Sequence, residues 1–367
     1  MPIGSTNVDF KEIYDAINGD GAHDLSGNPA IGMDYFYGKS FTDGTSTPES
    51  GTIGIGGVGG ANDMRSKTIE SPDSLYDFTS HTFTNHNVTG QNGPTLSTFT
   101  GGSPPFYPSW ASNLSFFNVT QGIQEWKVPV SGTYKIIAKG ANGGHGGVVS
   151  RLGGLGAVIE GTFTLIGGDI IKILVGQKGS QYGDATGGAT TTSSGGGGGG
   201  GTFVMKSPYS VSSVLIIAGG GGGSNYQGNN GTNVENINAR LPNDSGTGGG
   251  IKGNNWEAGG GGGLISDGGG STYGSSGKSL VNGGQGGFGG YSSDNATYRN
   301  HGGFGGGGGN GAYTGGGGGG INGGDTRHYS GTKGAEGGAS YNTGTSQSSE
   351  ATNGTHGNVT ITLISLT

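Results

Sequence analysis

Residues 195–223 read GGGGGGGTFVMKSPYSVSSVLIIAGGGGG, two short apolar segments enclosed by two runs of glycine. The apolar segments, Thr202–Lys206 and Ser213–Ala218, are rich in β-branched and other apolar residues and predict β-strands. Glycine loses more backbone entropy on folding than any other residue, so a glycine run by itself is typical of a disordered linker. Here the runs adjoin strands, and the same combination recurs along the chain.

Further segments with strand character lie on both sides of this stretch, bounded by turn residues. One pair of them is separated only by Gly167-Gly168, which predicts a hairpin. The last segment returns about 140 residues after Ala218, so the strands enclose a long insertion and predict one β-sandwich closed by the final strand. In chain order the segments are Gln124–Val130, Thr133–Ala138, Ala157–Ile166, Asp169–Val175 and Asn358–Leu366.

The glycine runs themselves are similar in length. Five to seven residues in the polyproline-II conformation span roughly 15–22 Å, about the length of a sandwich strand. Such a helix has no internal hydrogen bonds, and only glycine lets several of them approach closely enough to bond to one another. The repeated runs therefore predict a bundle of polyglycine-II helices. They are 195–201, 219–223, 248–250, 259–263, 268–270, 302–309 with Phe304 interposed, and 315–320, with Gly198, Gly221, Gly261, Gly307 and Gly317 as central lattice residues.

Glycine content also divides the chain. Of its 93 glycines, 71 lie between Gly140 and Gly338. We expect an N-terminal attachment region at 1–45, a connecting region of short strands at 46–121, and the glycine-rich sandwich at 122–367. The first region predicts one short helix, in which Phe10, Ile13, Tyr14 and Ile17 recur at helical spacing before Gly19. This helix either covers its own domain or contacts a partner in an assembly.

Composition excludes several classes of protein. The chain has no cysteine, which removes disulfide frameworks and thiolate metal sites. Its net charge of −7 gives no basic surface for nucleic acid. Apolar runs are far shorter than the ~20 residues that span a bilayer, and the N-terminus lacks the features of a secretory signal. We expect a protein made in a cytoplasm, without membrane insertion.

Motifs for cofactors and catalysis are incomplete. The glycine-lysine-serine triplets at Gly38 and Gly277 lack the leading glycine of a phosphate-binding loop. The seven histidines are scattered, with no pair at a metal-ligand spacing. We therefore expect no cofactor, no metal site and no catalytic residues.

Loops between the glycine runs concentrate Tyr, Trp, Asn, Ser and Arg. Rigid aromatic rings with adaptable polar neighbours are typical of binding surfaces, including those that stack on sugars. The alternative is that these aromatic residues cover the ends of the glycine bundle or lie in subunit contacts. The candidate receptor-binding residues are Tyr226, Asn229, Trp256, Tyr273, Tyr291, Tyr298, Arg299 and Tyr313.

The series of motifs from Gly122 onward resembles a known domain. WKVPVSGTYKIIAKGANGG, GTFTLIGGDIIKILVGQKG, VLIIAGGGGG and GNVTITLISL, in this order, are similar to the glycine-rich domain of phage and bacterial surface proteins and of the anaplastic lymphoma kinase extracellular region. This resemblance covers about two thirds of the chain. It implies an all-β, TNF-like or jelly-roll sandwich with inserted polyglycine-II helices.

Two N-terminal segments resemble phage modules. MDYFYGKS at 33–40 and GPTLSTFTGGSPPFYPSW at 93–110 are similar to parts of tail fibre and virion structural proteins. Tail fibre adhesins of some T-even-like phages also carry polyglycine helices with receptor-binding loops at one end, although the present chain differs from them in having sandwich strands. The resemblance implies a location in the phage tail.

Together these observations favour a non-enzymatic tail fibre or baseplate-associated protein. It would assemble with other tail proteins, as a homotrimer, and present its glycine-rich domain to a host polysaccharide or outer-membrane protein. The alternative is a purely structural tail or capsid decoration without a receptor. A polysaccharide-degrading enzyme is disfavoured because no carboxylate pair stands out among the 24 acidic residues.

Overall fold

The computed structural model describes residues 40–42, 50–52, 78–100, 108–147, 151–184, 188–190, 193–226, 249–250, 258–290, 299–326 and 334–366. The chain divides into two compact units, Met1–Phe78 and Thr79–Thr367. In the first unit, β1 (Ser40–Thr42) pairs antiparallel with β2 (Ser50–Thr52). The helix predicted near residues 10–17 lies outside the described residues.

The second unit is a sandwich of two antiparallel sheets, which confirms the predicted all-β fold. One α-helix, α1 (Leu96–Thr100), and two short 3-10 helices accompany the sheets in the described residues. The strands are β3 (Ser80–Phe83), β4 (Phe117–Thr120), β5 (Ile123–Lys127), β6 (Gly132–Lys139), β7 (Gly156–Leu165), β8 (Ile170–Leu174), β9 (Thr202–Lys206), β10 (Val214–Ala218), β11 (Tyr341–Asn342), β12 (Thr345–Asn353) and β13 (Asn358–Leu366). A five-stranded sheet has the order β12-β7-β6-β13-β3, and a six-stranded sheet has the order β11-β10-β9-β8-β5-β4.

The final strand pairs with a strand from an early part of the chain. As predicted, β13 joins a sheet, where it lies between β6 and β3. Because Val359 pairs with Phe83, residues after Thr79 belong to the sandwich. β4, which also comes before residue 122, pairs with β5 in the other sheet. The sandwich therefore includes β3 and β4, which come before residue 122, where its start is predicted from the sequence.

The hairpin predicted around Gly167-Gly168 is wrong. β7 pairs with β6 and β12 in the five-stranded sheet, whereas β8 pairs with β5 and β9 in the six-stranded sheet. Gly168, at φ +94°, forms part of a turn that carries the chain from one sheet to the other. A two-glycine turn permits either path, so strand character in the sequence does not specify the partner strand.

Aromatic side chains fill one region between the two sheets. Trp126 of β5 and Tyr134 of β6 are fully buried, and their ring centres lie 6.3 Å apart. Phe83 contacts the Trp126 ring edge-on at 5.7 Å. The Tyr134 hydroxyl donates a hydrogen bond to the Val130 carbonyl oxygen (2.7 Å), so its polar group is satisfied.

The glycine segments begin at one end of the sandwich. Gly140 follows β6, Gly176 comes shortly after β8, and Gly219 follows β10. The Thr202 hydroxyl joins the sheets there, because it donates to the Lys139 carbonyl oxygen (2.6 Å) and accepts from the Gly176 N–H (2.9 Å). The insertions therefore leave the sandwich side by side and can pack on one another.

The run 195–201 is surrounded by other segments that bond to it through their backbones. Its N–H groups donate to three different segments, and the partner segment repeats at every third residue. A repeat of three is that of a polyproline-II helix, which has three residues per turn. The donor and acceptor pairs are Gly196 with Ser224, Gly199 with Gly221, Gly197 with Ser180, Gly200 with Gln177, Gly198 with Gly308, and Gly201 with Gly305.

The run 315–321 has the same pattern with three other partner segments. Both runs are hydrogen-bonded across several faces, so their backbone groups are satisfied without a β-sheet. We call this array the glycine lattice. The donor and acceptor pairs of the second run are Gly316 with Gly196, Gly319 with Gly199, Gly317 with Gly259, Gly320 with Gly262, Gly318 with Glu336, and Ile321 with Ala339.

The five glycines predicted as central lattice residues lie in the closest contacts. A Cβ atom at any of them would stand under 3.0 Å from a backbone carbonyl oxygen of a neighbouring segment. Real Cβ atoms essentially never come so close. The residues are Gly198, Gly221, Gly261, Gly307 and Gly317.

The run 302–309 is not a single extended helix as expected. It reverses direction at Phe304–Gly306, where Gly305 (φ +102°) and Gly306 (φ +81°) adopt left-handed conformations. The Gly307 N–H donates to the Gly303 carbonyl oxygen (3.0 Å), which joins the two short arms. Phe304 at the bend is fully buried in a second apolar cluster, with Leu174 and Phe203 of the six-stranded sheet. Burial of the Phe304 ring therefore fixes the bend.

Two histidines of this unit, His301 and His356, are partly buried in their neutral form. His301 Nδ1 accepts a hydrogen bond from the Gly289 N–H (3.1 Å), and His356 Nδ1 accepts one from the Lys178 N–H (3.1 Å). Burial, together with the nearby charge of Arg299, lowers the pKa of His301 to about 4. Burial lowers the pKa of His356 as well. Protonation at Nδ1 would break these hydrogen bonds.

We expect the free energy of unfolding to fall as the pH is lowered from 6.5 to about 4. Above this window His301 is neutral in both states and the full stability is present. Within it the unfolded chain binds protons that the folded chain does not, so acid favours unfolding. Urea unfolding at pH values of about 7.5, 5.5 and 4.5 measures the effect. His301→Asn, which keeps a hydrogen-bond acceptor, should make the curve shallower, while His81, whose pKa burial also lowers to about 4, keeps part of the slope. A wild-type curve that is flat would contradict this prediction.

Candidate functional site

One end of the glycine lattice lies away from the sheets. Gly201 directly precedes β9 and Gly219 directly follows β10, so these residues are next to the six-stranded sheet. The Gly196 N–H donates to the Ser224 carbonyl oxygen (2.8 Å), which places Gly196 and Ser224 together at the opposite end. The Gly316 N–H donates to Gly196, so the start of that run is there as well. We call this the far end; it comprises residues 194–196, 224–226, 299–300 and 310–316.

Buried polar side chains close the far end. Asn300 Nδ2 donates to the Gly195 carbonyl oxygen (2.6 Å), and Asn300 itself accepts at Oδ1 from the Ala189 N–H (2.8 Å). Asn225 Oδ1 accepts from the Gly315 N–H (2.9 Å), and Asn310 Oδ1 accepts from the Asn300 N–H (2.9 Å). These three asparagines are fully buried. They bond to backbone groups where the runs end, as capping side chains do at helix ends.

In the sequence, these asparagines cannot be told apart from the other polar loop residues, which are expected to make adaptable contacts with a receptor. In the described residues Asn225, Asn300 and Asn310 instead bond to the ends of the glycine runs, the place that the alternative assigned to aromatic residues. Their position directly beside a glycine run is the signal that could have identified them.

Two candidate receptor-binding residues lie together at the far end. The Tyr226 N–H donates to the Tyr313 carbonyl oxygen (2.8 Å), and the two rings are tilted with their centres 5.8 Å apart. Tyr226 is half-buried, whereas 43% of Tyr313 is exposed. Asn225, which precedes Tyr226, accepts a hydrogen bond from the Gly315 N–H and so joins the two segments that carry the rings. The pair is a partly exposed aromatic surface on a rigid support.

Two further candidates lie in the described residues. Tyr273 is half-buried in a turn, where its N–H donates to Ser271 Oγ (3.1 Å), and the next residue, Gly274, packs against Asn310. Arg299 is half-buried, and its side chain lies against Gly290. The other four candidates, Asn229, Trp256, Tyr291 and Tyr298, lie outside the described residues.

The side chains of this surface are mainly aromatic. Aromatic rings offer apolar faces with polar edges, which suit sugar rings and protein loops. Among the described residues, no three His, Asp or Glu side chains converge in a way that could hold a metal ion. The described part of the chain also contains no helix with the length and apolar character needed to cross a bilayer. No known protein-family model matches the chain.

Proposed function

We propose that this protein is a bacteriophage tail fibre or baseplate-associated structural protein that presents the far end of its glycine lattice to a host-surface receptor. The observation that supports this proposal is the Tyr226 and Tyr313 pair, partly exposed at the end of the lattice opposite the sheets. A lattice with almost no side chains is a stiff support, and stiff support lowers the entropy lost when aromatic residues bind. The receptor class is a host polysaccharide or an outer-membrane protein.

The proposal includes the assembly. The chain would form a homotrimer and attach to other tail proteins through its N-terminal region. Its sandwich would be a TNF-like jelly roll, as the resemblance to glycine-rich domains implies. A purely structural role in the virion is the second candidate. The three buried asparagines favour it, because they are polar loop residues that bond to the lattice and are not exposed to a receptor.

The binding proposal is tested with the double variant Tyr226→Ala, Tyr313→Ala. We expect the full chain to bind cells of the host bacterium, and the variant to bind about tenfold more weakly because the aromatic contact area is removed. Leu114→Ala is the matched control, since Leu114 is 64% exposed on a sandwich loop. Flow cytometry with labelled protein measures the binding.

The other outcomes discriminate between the candidates. Undiminished binding by the double variant would exclude this pair as the receptor contact. Absence of binding by the wild-type chain would favour the purely structural role. Release of reducing sugars from host polysaccharide would overturn the assignment as a non-enzymatic protein.

A further inference from the structure

Two adjoining pockets lie away from the far end, one on the outer face of the six-stranded sheet and one beside the turn between β4 and β5. The first, of about 550 Å³, includes Leu174, Phe203 and Met205 of the sheet among its lining residues. The second, of about 460 Å³, lies beside it, and both are lined by Gln121 and Gly283. Each volume is within the range of about 300–1,000 Å³ found for small-molecule sites.

The first pocket is apolar and offers no net charge. Leu264 and Leu280 line it opposite the sheet, while Ile265 (44% exposed) and Val281 (65% exposed) extend an apolar surface to its mouth. Its two charged residues neutralise each other, because Lys172 Nζ lies 3.4 Å from Glu125 Oε1. This lining suits an aliphatic chain and provides no charge that would balance the charge of an ionic ligand.

The second pocket is polar and uncharged. Its lining includes Asn92, Gln121, Asn282 and Gln285, and none of its lining residues is acidic or basic. A side-chain amide both donates and accepts hydrogen bonds, as a sugar hydroxyl does. Gln121, which lies at the border of the two pockets, has a left-handed backbone (φ 50°), a conformation unusual for a residue with a side chain.

The wall shared by the pockets is held in place by one carboxylate. Asp267 accepts hydrogen bonds from Lys278 Nζ (2.8 Å), the Ser279 N–H (2.8 Å) and Asn282 Nδ2 (2.9 Å). These bonds connect both ends of the segment from Leu264 to Gly283, which contributes to both linings. The pockets are therefore preformed, which reduces the entropic cost of binding.

We infer that the two pockets together bind one uncharged amphiphile, with its aliphatic chain in the apolar pocket and a hydroxyl-rich head group, such as a sugar ring, in the amide-lined pocket. The inference follows from the two linings, one apolar and one neutral and polar, which meet at Gln121 and Gly283. It is independent of the proposed receptor contact, because the cleft is on the sheet and the tyrosine pair is at the far end.

Titration calorimetry of the full chain with n-octyl-β-D-glucoside, kept below its micelle concentration, tests the inference. We expect one site per chain. Glucose lacks the octyl chain and leaves the apolar pocket unfilled, so it should bind at least about tenfold more weakly. Octyl sulfate places a charge in the uncharged polar pocket and should also bind at least about tenfold more weakly. Equal binding of octyl sulfate, binding at many weak sites, or no binding at all would overturn the inference.

Three variants locate the site. Val281→Glu places a carboxylate at the apolar mouth, and because Val281 is mainly exposed this variant should fold. Gln121→Ala removes an amide from the border of the pockets. Each of these two variants should bind octyl glucoside about tenfold more weakly. The control variant Leu114→Ala should bind it with the wild-type affinity. Unchanged affinity in both pocket variants, with circular dichroism showing a native fold, would contradict the assignment.

Discussion

The Gly198→Ala variant is expected to lose more than about 4 kcal/mol of the free energy of unfolding, an effect reserved for severe disruptions. Gly198 donates to the Gly308 carbonyl oxygen (2.9 Å) and accepts from the Gly303 N–H (2.9 Å). A Cβ atom there would lie under 3.0 Å from the Gly317 carbonyl oxygen. These neighbours are backbone atoms, which cannot rotate away as a side chain can. A single methyl group must therefore displace a whole segment of the lattice.

Urea unfolding followed by circular dichroism and by tryptophan fluorescence measures this loss. Gly354→Ala is the matched control, because the nearest atom to a Cβ there is Leu155 Cδ2 at 3.6 Å, an ordinary contact. We expect the control to change the free energy by less than about 1 kcal/mol. A Gly198→Ala variant with the wild-type unfolding midpoint would show that the lattice is not closely packed.

The Phe304→Ala variant should lower the free energy of unfolding by about 3–5 kcal/mol, the range for truncating a buried aromatic residue. The ring is fully buried with Leu174 and Phe203. The backbone at the same residue donates to the Gly90 carbonyl oxygen (3.1 Å) and accepts from the Gln177 N–H (2.8 Å). Phe304 therefore joins the lattice, the sheet and the segment before α1. Its loss should loosen all three together.

Phe288→Ala is the control for this variant. Phe288 has the same side chain but is 49% exposed, beside the His301 ring at 4.5 Å between centres. We expect it to cost less than half as much as Phe304→Ala. Equal effects of the two substitutions would mean that Phe304 does not anchor the lattice. Thermal unfolding at two wavelengths would also reveal separate transitions if the lattice and the sandwich came apart.

The candidate surface was predicted from the sequence in part. The loops between the glycine runs are rich in both Tyr and Asn, and this composition drew attention to Tyr226 and Tyr313. It could not distinguish them from Asn225 and Asn300, because the distinction is burial. An asparagine next to a terminating glycine run bonds to the exposed backbone groups of that run, whereas a tyrosine is too large to enter the lattice.

The apolar cleft had no signal in the sequence at all. Its lining comes from strands β5, β8 and β9 and from the segment near Leu264 and Leu280. In the sequence, its apolar residues cannot be distinguished from ordinary core residues. Only the incomplete cover of the sheet by the lattice segments leaves a space between them.

By itself the sequence determined strands β5 to β10, the final strand's membership of the sandwich, and the positions where close packing permits only glycine, such as Gly198. These features are local, since strand character follows from β-branched residues and close packing of backbones permits only glycine. The tertiary structure alone decided that β7 and β8 lie in different sheets, that residues after Thr79 join the sandwich, and that the run around Phe304 folds back. Each of these depends on which distant partner competes best for a backbone hydrogen bond or a buried ring, and no local pattern records that competition.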